Sequence, residues 1–275
     1  MRAFSYARPG TLDEAVALLD EYGSDARVLA GGTDLIIRLR DRTLTPRVVV
    51  DIKRIPELAP SIKRADGLLR ISAGTTMTDV YADPTVRESF PALAEAASII
   101  GSVQIRNRAT LVGNQTNASP AADTAPTLLI YGAVLVLVGL QGERRVALDD
   151  FFVRSGVTTM AVGELVTAIE IPMPSEPHGS AFTRRTRRRG HDLASVTLAA
   201  SVGRDGSTRL SFGSLGPRPL LFSSAGGGEP PFEEWFAHAA PSPTSMRASP
   251  EYRNAMLRVL ATRALATARA RLAAE

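Results

Sequence analysis

The chain has no cysteine. It therefore cannot supply thiolates to an iron–sulfur cluster or a structural zinc, and it has no disulfide and no cysteine nucleophile. Histidine is nearly as scarce. His178, His191 and His238 stand far apart, and none falls in a metal-ligand spacing such as HxxxH. No metal site is expected from this chain alone, so any redox chemistry must use an organic cofactor or a partner's metals. Long hydrophobic runs are missing too. The longest, Leu128 to Leu140, has 13 residues, including Gly132 and Gly139. A membrane helix needs roughly 20, so this run suits one or two buried strands instead. The first residues, "MRAFSYARPG", lack the apolar stretch of a signal peptide, which makes the cytoplasm the expected compartment. Neither GxGxxG nor GxxxxGK[ST] occurs, which removes a Rossmann fingerprint and a nucleotide-hydrolysing P-loop.

What is present is ordinary globular composition. With 275 residues, 44% hydrophobic and 22% charged, the chain can form two or three compact units. The net charge of +4 is mild, and the basic residues gather in "RRTRRRGHD", Arg184 to Asp192. No aromatic residue interleaves there to stack on bases. The run reads as a solvated loop or a face for an acidic ligand or partner, and no nucleic acid is expected.

Elements of both kinds alternate along the chain. "TLDEAVALLDEYG" is a helix: Thr11 and Glu14 have capping-box spacing, Ala15, Leu18, Leu19 and Tyr22 recur at helical intervals, and Gly23 can close the end in a left-handed conformation. "ARVLA" is a strand, "LIIRLRD" a helix and "RVVVDI" a β-branched strand. "GLLRISAGTTMTDV" reads as strand, turn and helix, and "PALAEAASIIG" as a helix stopping at Gly101. "TLLIYGAVLVLVG" and "ELVTAIEIP" are strand-like, and Pro172, Pro174, Pro177 and Gly179 mark a boundary. Two strands around "RDGS" follow, then a Pro/Gly-rich loop from Gly213 to Pro231. Last comes a helix with Leu257, Leu260, Ala264, Ala268 and Leu272 in one stripe and Arg258, Arg269 and Arg271 elsewhere.

Two turns could carry chemistry. Val28, Leu29 and Ala30 run as a strand into Gly31 and Gly32, followed by Thr33, Asp34 and Leu35. Paired glycines expose consecutive backbone N–H groups, a geometry that cradles phosphate oxygens and that also serves plain turns. The second is "RNRATLVGNQTNASPAADTAP", residues 106 to 126, crowded with small and polar residues. It fits a surface loop or a backbone laid against a polar ligand. Thr110 and Asn114 offer side-chain hydrogen bonds, Gly113 permits close approach, and Asp123 is an acceptor of the kind that holds a ribose hydroxyl. Together the turns suggest a long ligand with a pyrophosphate in its middle.

"LAGGTDL", "GTTMTDV", "GSVQIRNRATLVGN", "NASPAADTAP", "GELVTAIEIP" and "RRRGHDLASV" follow one another in the order of one family. The chain resembles the medium, FAD-binding subunit of molybdenum hydroxylases of the carbon monoxide dehydrogenase and xanthine dehydrogenase type. The likeness covers residues 1 to 220 and returns at "RASPEYRNAMLRVLATRAL". It implies an α+β fold: a two-part FAD-binding domain (PCMH type) over 1–176, with subdomains about 1–54 and 55–176, and a smaller α+β C-terminal domain over 177–275. By position, Val28 to Leu35 would hold the FAD pyrophosphate on backbone amides. Thr110, Gly113 and Asn114 would form a second phosphate turn, with Asn117 and Asp123 reaching the ribityl or adenosine portion. Ile100 and Val166 match apolar contacts to the cofactor, and Arg184 stands where the family usually has a lysine close to the flavin. Each also has a plainer use, in the core, on the surface or as a turn cap.

The implied function is electron transfer within an assembly. A large molybdenum-cofactor subunit and a small [2Fe-2S] subunit would be partners, arranged as a dimer of heterotrimers, and the flavin would pass electrons to NAD, quinone or oxygen. Rivals are a self-sufficient FAD oxidoreductase and a basic nucleic-acid-binding or scaffold protein. One departure stands out. The family's T-x-G-G-N turn reads Thr110-Leu111-Val112-Gly113-Asn114 here, and Val112 would be strained if its position needed a positive φ. Residues 220–246 depart as well, which suggests a shortened or irregular C-terminal unit.

Overall fold

Thr11 adopts an extended conformation, and its hydroxyl accepts from the Glu14 amide at 3.2 Å, opening helix α1 (Leu12–Tyr22). The Glu14 carboxylate does not complete the expected capping box. It accepts from the Gly10 N–H at 2.7 Å, one residue early. Gly23 has φ +50 and ψ −125, outside the left-handed helical region, and leads into a short 3₁₀ turn rather than a left-handed cap. The computed structural model describes every residue except Arg189, His191, Gly227 and Glu275.

Strands β1 (Ser5–Ala7), β2 (Ala26–Leu29) and β3 (Val48–Asp51) form a parallel sheet in the order β1-β3-β2. β1 is too short to show alternation and was not expected. Val48 and Val50 are buried in a core shared with Ala15 and Leu19 of α1. Helix α2 (Leu35–Arg40) follows the glycine turn. That turn therefore lies at the carboxyl end of parallel strands, where open α/β sheets bind ligands.

A second sheet has the order β4-β5-β10-β6-β7 and is antiparallel throughout. Its members are β4 (Ile62–Ala65), β5 (Leu68–Ser72), β6 (Val134–Gly139), β7 (Gly142–Ala147) and β10 (Leu165–Pro172). Ile71, Ile169 and Leu135 lie in one row across it, fully buried. Short helices fill the connections: α3 (Met77–Ala82), α4 (Pro84–Ser89), α5 (Pro91–Ser98), α6 (Val103–Arg106), α7 (Leu111–Thr116) and α8 (Thr124–Ile130). α9 (Leu148–Phe151) leads to a small ribbon of β8 (Phe152–Arg154) and β9 (Val157–Thr158).

One expectation fails here. The apolar run from Leu128 is not strand throughout: Thr124 to Ile130 is helical, and strand begins only at Val134. An entirely buried helix has no polar face, so its sequence looks like a buried strand. Of the two readings left open for the stretch 106–126, the surface loop is not what is found. Much of it is helix, with Leu111, Val112, Gln115, Ala118 and Ala122 buried, because alanine-sized side chains let α7 and α8 pack closely.

The third sheet, β11 (His178–Arg185), β12 (Val196–Gly203), β13 (Thr208–Gly213) and β14 (Leu220–Ser224), is an antiparallel meander. β14 lies inside the stretch expected to be loop. Phe222 on it stacks between Phe212 and Trp235 of α10 (Phe232–Ala237), which orders the segment. Residues 220–224 and 232–237 are thus regular elements, while the other described residues between 220 and 246 carry no helix or strand. Helix α11 (Pro250–Ala273) covers the sheet with Leu257, Leu260, Ala264 and Ala268, and it approaches closely at Gly179, where a Cβ would lie 1.8 Å from the Ala268 carbonyl oxygen. Arg271 joins this unit to the second sheet's helices, donating to Ser180 O at 2.6 Å and to Glu95 of α5. Among the described residues, no helix is long and apolar enough to cross a membrane.

Candidate functional site

The two turns meet. A Cβ on Gly31 would lie 1.9 Å from the Arg108 carbonyl oxygen, so only glycine allows the backbones of residues 31 and 108 to touch. Gly32 has φ +79, a conformation that L side chains rarely adopt. Among the described residues, the amides of Gly31, Gly32, Thr33 and Asp34 have no backbone acceptor, while Gly32 O accepts from Ile36 N at 3.0 Å. Consecutive unpaired amides on a half-buried turn are donors for an acceptor-rich ligand.

The second turn is built by capping. Thr110 is extended, its hydroxyl accepts from Gly113 N at 3.0 Å, and α7 begins. Val112 lies in the first helical turn, is not among the positive-φ residues and is 5% exposed. The anticipated strain is absent, because this helical backbone suits a β-branched residue. Strain appears instead at buried Ala118, φ +46, where α7 has ended. "GTT" contributes as well: Met77 N donates to Ala109 O at 2.8 Å and Leu111 N to Thr75 O at 3.1 Å, tying a third turn to the second.

Side chains link the remaining candidates. Asn117 Nδ2 donates to Asp34 Oδ1 at 3.3 Å, and Asn117 Oδ1 accepts from Arg38 at 2.7 Å, so an exposed clasp spans the two turns. Asn114 Oδ1 accepts from the Thr124 hydroxyl at 2.6 Å and from Gln115 Nε2 at 3.2 Å; Gln115 Nε2 also donates to Thr124 Oγ1 at 2.8 Å. Asp123, 5% exposed, pairs through Oδ2 with Arg184 at 2.7 Å, while its Oδ1 is buried with the Thr197 hydroxyl close by but outside good hydrogen-bond geometry. Burial pushes the Asp123 carboxyl above the usual carboxylate range, and Arg184 and the Thr197 hydroxyl oppose that shift only in part. Ile100 is half-buried against the first core, and Val166 is 1% exposed within β10 beside a register shift. Neither joins the polar constellation.

Sequence reasoning missed Arg38, Gln115 and Thr124. Gln115 and Thr124 stood in the polar stretch, but their partnership depends on α7 and α8 meeting. Beyond Arg184, the arginine run is partly engaged. Arg187 pairs with Asp192 at 3.3 Å and Arg185 donates to the Tyr252 hydroxyl at 2.8 Å; Arg189 and His191 lie outside the described residues. The donor-rich, glycine-lined contact between the two turns fits the pyrophosphate of FAD, whose oxygens need donors such as these unpaired amides.

Comparison with known proteins agrees. Residues 2–174 match the family described as "FAD binding domain in molybdopterin dehydrogenase". The carbon monoxide dehydrogenase medium chain of Afipia carboxidovorans is 33% identical over 282 residues, covering 98% of each chain. The xanthine dehydrogenase FAD-binding subunit of Escherichia coli O157:H7 is 36% identical over 221 residues, 78% of this chain and 75% of that one. The structure of reconstituted CO dehydrogenase from Oligotropha carboxidovorans superimposes with a TM-score of 0.91 at 31% identity, covering 98% of this chain and 99% of that one.

Proposed function

The chain belongs to the FAD-binding family of molybdopterin dehydrogenases, as an oxidoreductase flavoprotein subunit, and on that premise we propose that it is the electron-transfer subunit of a multi-subunit molybdenum hydroxylase. It takes electrons from an iron–sulfur partner and passes them to NAD, quinone or oxygen. A large molybdenum-cofactor subunit and a small [2Fe-2S] subunit complete the assembly, with a dimer of heterotrimers implied by the family resemblance. The observation that carries the reading is the contact of Gly31 with Arg108, which sets a row of unpaired amides beside the capped turn at Thr110.

FAD, when bound, supplies the two-electron chemistry. The chain's own residues bind and orient. Amides of the Val28–Leu35 turn would hold the pyrophosphate, and Thr110, Gly113 and Asn114 would form the second phosphate turn. Asn117 and Asp123 would serve the ribityl or adenosine portion, Ile100 and Val166 would bound the apolar end, and Arg184 would bring positive charge near the flavin. The cofactor-holding domain spans 1–176 and the C-terminal domain 177–275. Supporting that division, residues 173–177 between β10 and β11 carry no helix or strand.

Purification of the full chain tests this. The expected product is yellow and releases FAD on denaturation, and purification from the source cell brings two further subunits with molybdenum and iron. A colourless chain that takes up no added FAD overturns the cofactor reading. Turnover of a small substrate by the isolated chain would instead identify a self-sufficient oxidoreductase.

A further inference from the structure

We propose that Thr124 and Gln115 are positioning residues that lock the side-chain amide of Asn114 with its NH₂ group outward, as a donor to the pyrophosphate of the cofactor. The proposal rests on the FAD reading above and adds two buried residues to it.

Gln115 and Thr124 are both fully buried, and with Asn114 they close a triangle of three hydrogen bonds. Gln115 Nε2 spends one hydrogen on Thr124 Oγ1 and the other on Asn114 Oδ1. Thr124 Oγ1, having accepted, donates its own hydrogen to Asn114 Oδ1. Both lone pairs of that oxygen are then occupied. Asn114 is left with an amide that can only donate, on a half-buried residue whose side-chain bonds among the described residues all run through Oδ1.

The opposite arrangement is worse. If Asn114 turned Nδ2 inward, Gln115 would have to turn as well and offer Oε1 to the triangle. Its NH₂ would then occupy the buried position where Oε1 now lies without a partner. Two orphaned donor hydrogens would replace one orphaned acceptor, and a buried unmade hydrogen bond is costly. The triangle therefore has one favoured direction, and that direction leaves a donor on the side of Asn114 away from the triangle. A donor is what phosphate oxygens require, and two buried residues fix it before the ligand arrives, so little ordering remains to be done on binding.

FAD titration of the full chain, followed by quenching of flavin fluorescence, tests this together with thermal unfolding of the apoprotein. Thr124→Val removes the relay hydroxyl and is expected to weaken FAD binding about tenfold, the equivalent of one ordinary hydrogen bond, while Thr124→Ser restores it to within about twofold. Asn114→Asp is the sharper case. It keeps the accepting oxygen that the triangle needs but replaces the outward NH₂ with a charged oxygen. FAD binding is expected to fall by about a hundredfold, because a charged acceptor then faces the phosphates, with the apoprotein's melting temperature near wild type. Wild-type affinity in Asn114→Asp, or equal affinity in Thr124→Val and Thr124→Ser, overturns the proposal while leaving the FAD reading standing. A wild-type chain that binds no FAD overturns both.

Discussion

The two turns that touch at Gly31 and Arg108 are made of different materials. The first, from Val28 to Leu35, is backbone: its donors are amides, and its shape depends on the absence of side chains at Gly31 and on the positive φ of Gly32. The second is side chain: Thr110 caps α7, and Thr124 and Gln115 hold Asn114. A backbone turn tolerates no added atom where another backbone touches it. A side-chain turn tolerates change wherever the residue lies outside its hydrogen-bond network, as the valine at 112 illustrates. Substitutions can break that contrast or sharpen it.

The largest effect is expected at Gly31→Ala. The new Cβ would meet a carbonyl oxygen rather than a flexible side chain, so the two turns must part. The cost should be about 3 kcal/mol, at the upper end for overpacking, with loss of FAD binding. Melting temperature and flavin content of the purified chain check both. A variant with near-normal flavin would show that the turns need not touch.

Next comes Val112→Gly, which restores the family's glycine. If the turn needed a positive φ, the change would help. The structure predicts the reverse, because Val112 is helical and packs in the first core. Loss of a buried valine and gain of a helical glycine should together cost about 2 kcal/mol, read by denaturant unfolding. FAD affinity should not improve.

These two cases also show what the sequence could and could not reveal. AGGTD was legible as a turn after a strand, but glycine pairs serve plain turns as well, and its contact with residue 108 could not be read from the sequence. The helix from Thr11, the strands at Val48 and Leu165 and the final helix were legible from periodicity and caps. β1 and the helical stretch Thr124–Ile130 were not, the one being three residues long and the other buried on every side. Val112 looked like a defect only because its backbone conformation was unknown. Asp123 and Arg184 were each named for a cofactor role, yet their pairing depends on α8 packing against the third sheet, a contact between residues 61 apart in the chain.

Asp123→Asn probes that pairing and should affect binding more than stability. The Asp123 carboxyl is raised by burial, against the pull of Arg184, so the folded chain holds this proton more readily than the unfolded chain does. Its contribution to stability is therefore fully present below the ordinary carboxylate pKa and is lost as pH rises through the raised folded value. An uncharged asparagine avoids that loss. The variant's melting temperature at neutral pH should be at or above wild type, and its pH dependence across the mildly acidic range flatter. FAD affinity should fall about tenfold, the effect of losing a charged acceptor for a hydroxyl. A clearly lower melting temperature at neutral pH would mean that the ion pair outweighs the burial of the carboxylate.

The smallest effect belongs to Arg38→Ala, which opens the exposed clasp through Asn117 to Asp34. Exposed polar pairs of this kind contribute little, about 0.5 kcal/mol, because water competes for each group and long side chains lose freedom in forming them. In a chain of this length the melting temperature should fall by only about 1–2 °C. The clasp nevertheless spans the two turns, so its loss should appear in kinetics first: FAD release should quicken by about twofold, comparable to that energy. Stopped-flow release into excess apoprotein trap measures it. A much larger acceleration would show that the backbone turn and the side-chain turn are held together by this surface bridge, and that the contact at Gly31 alone does not keep them closed.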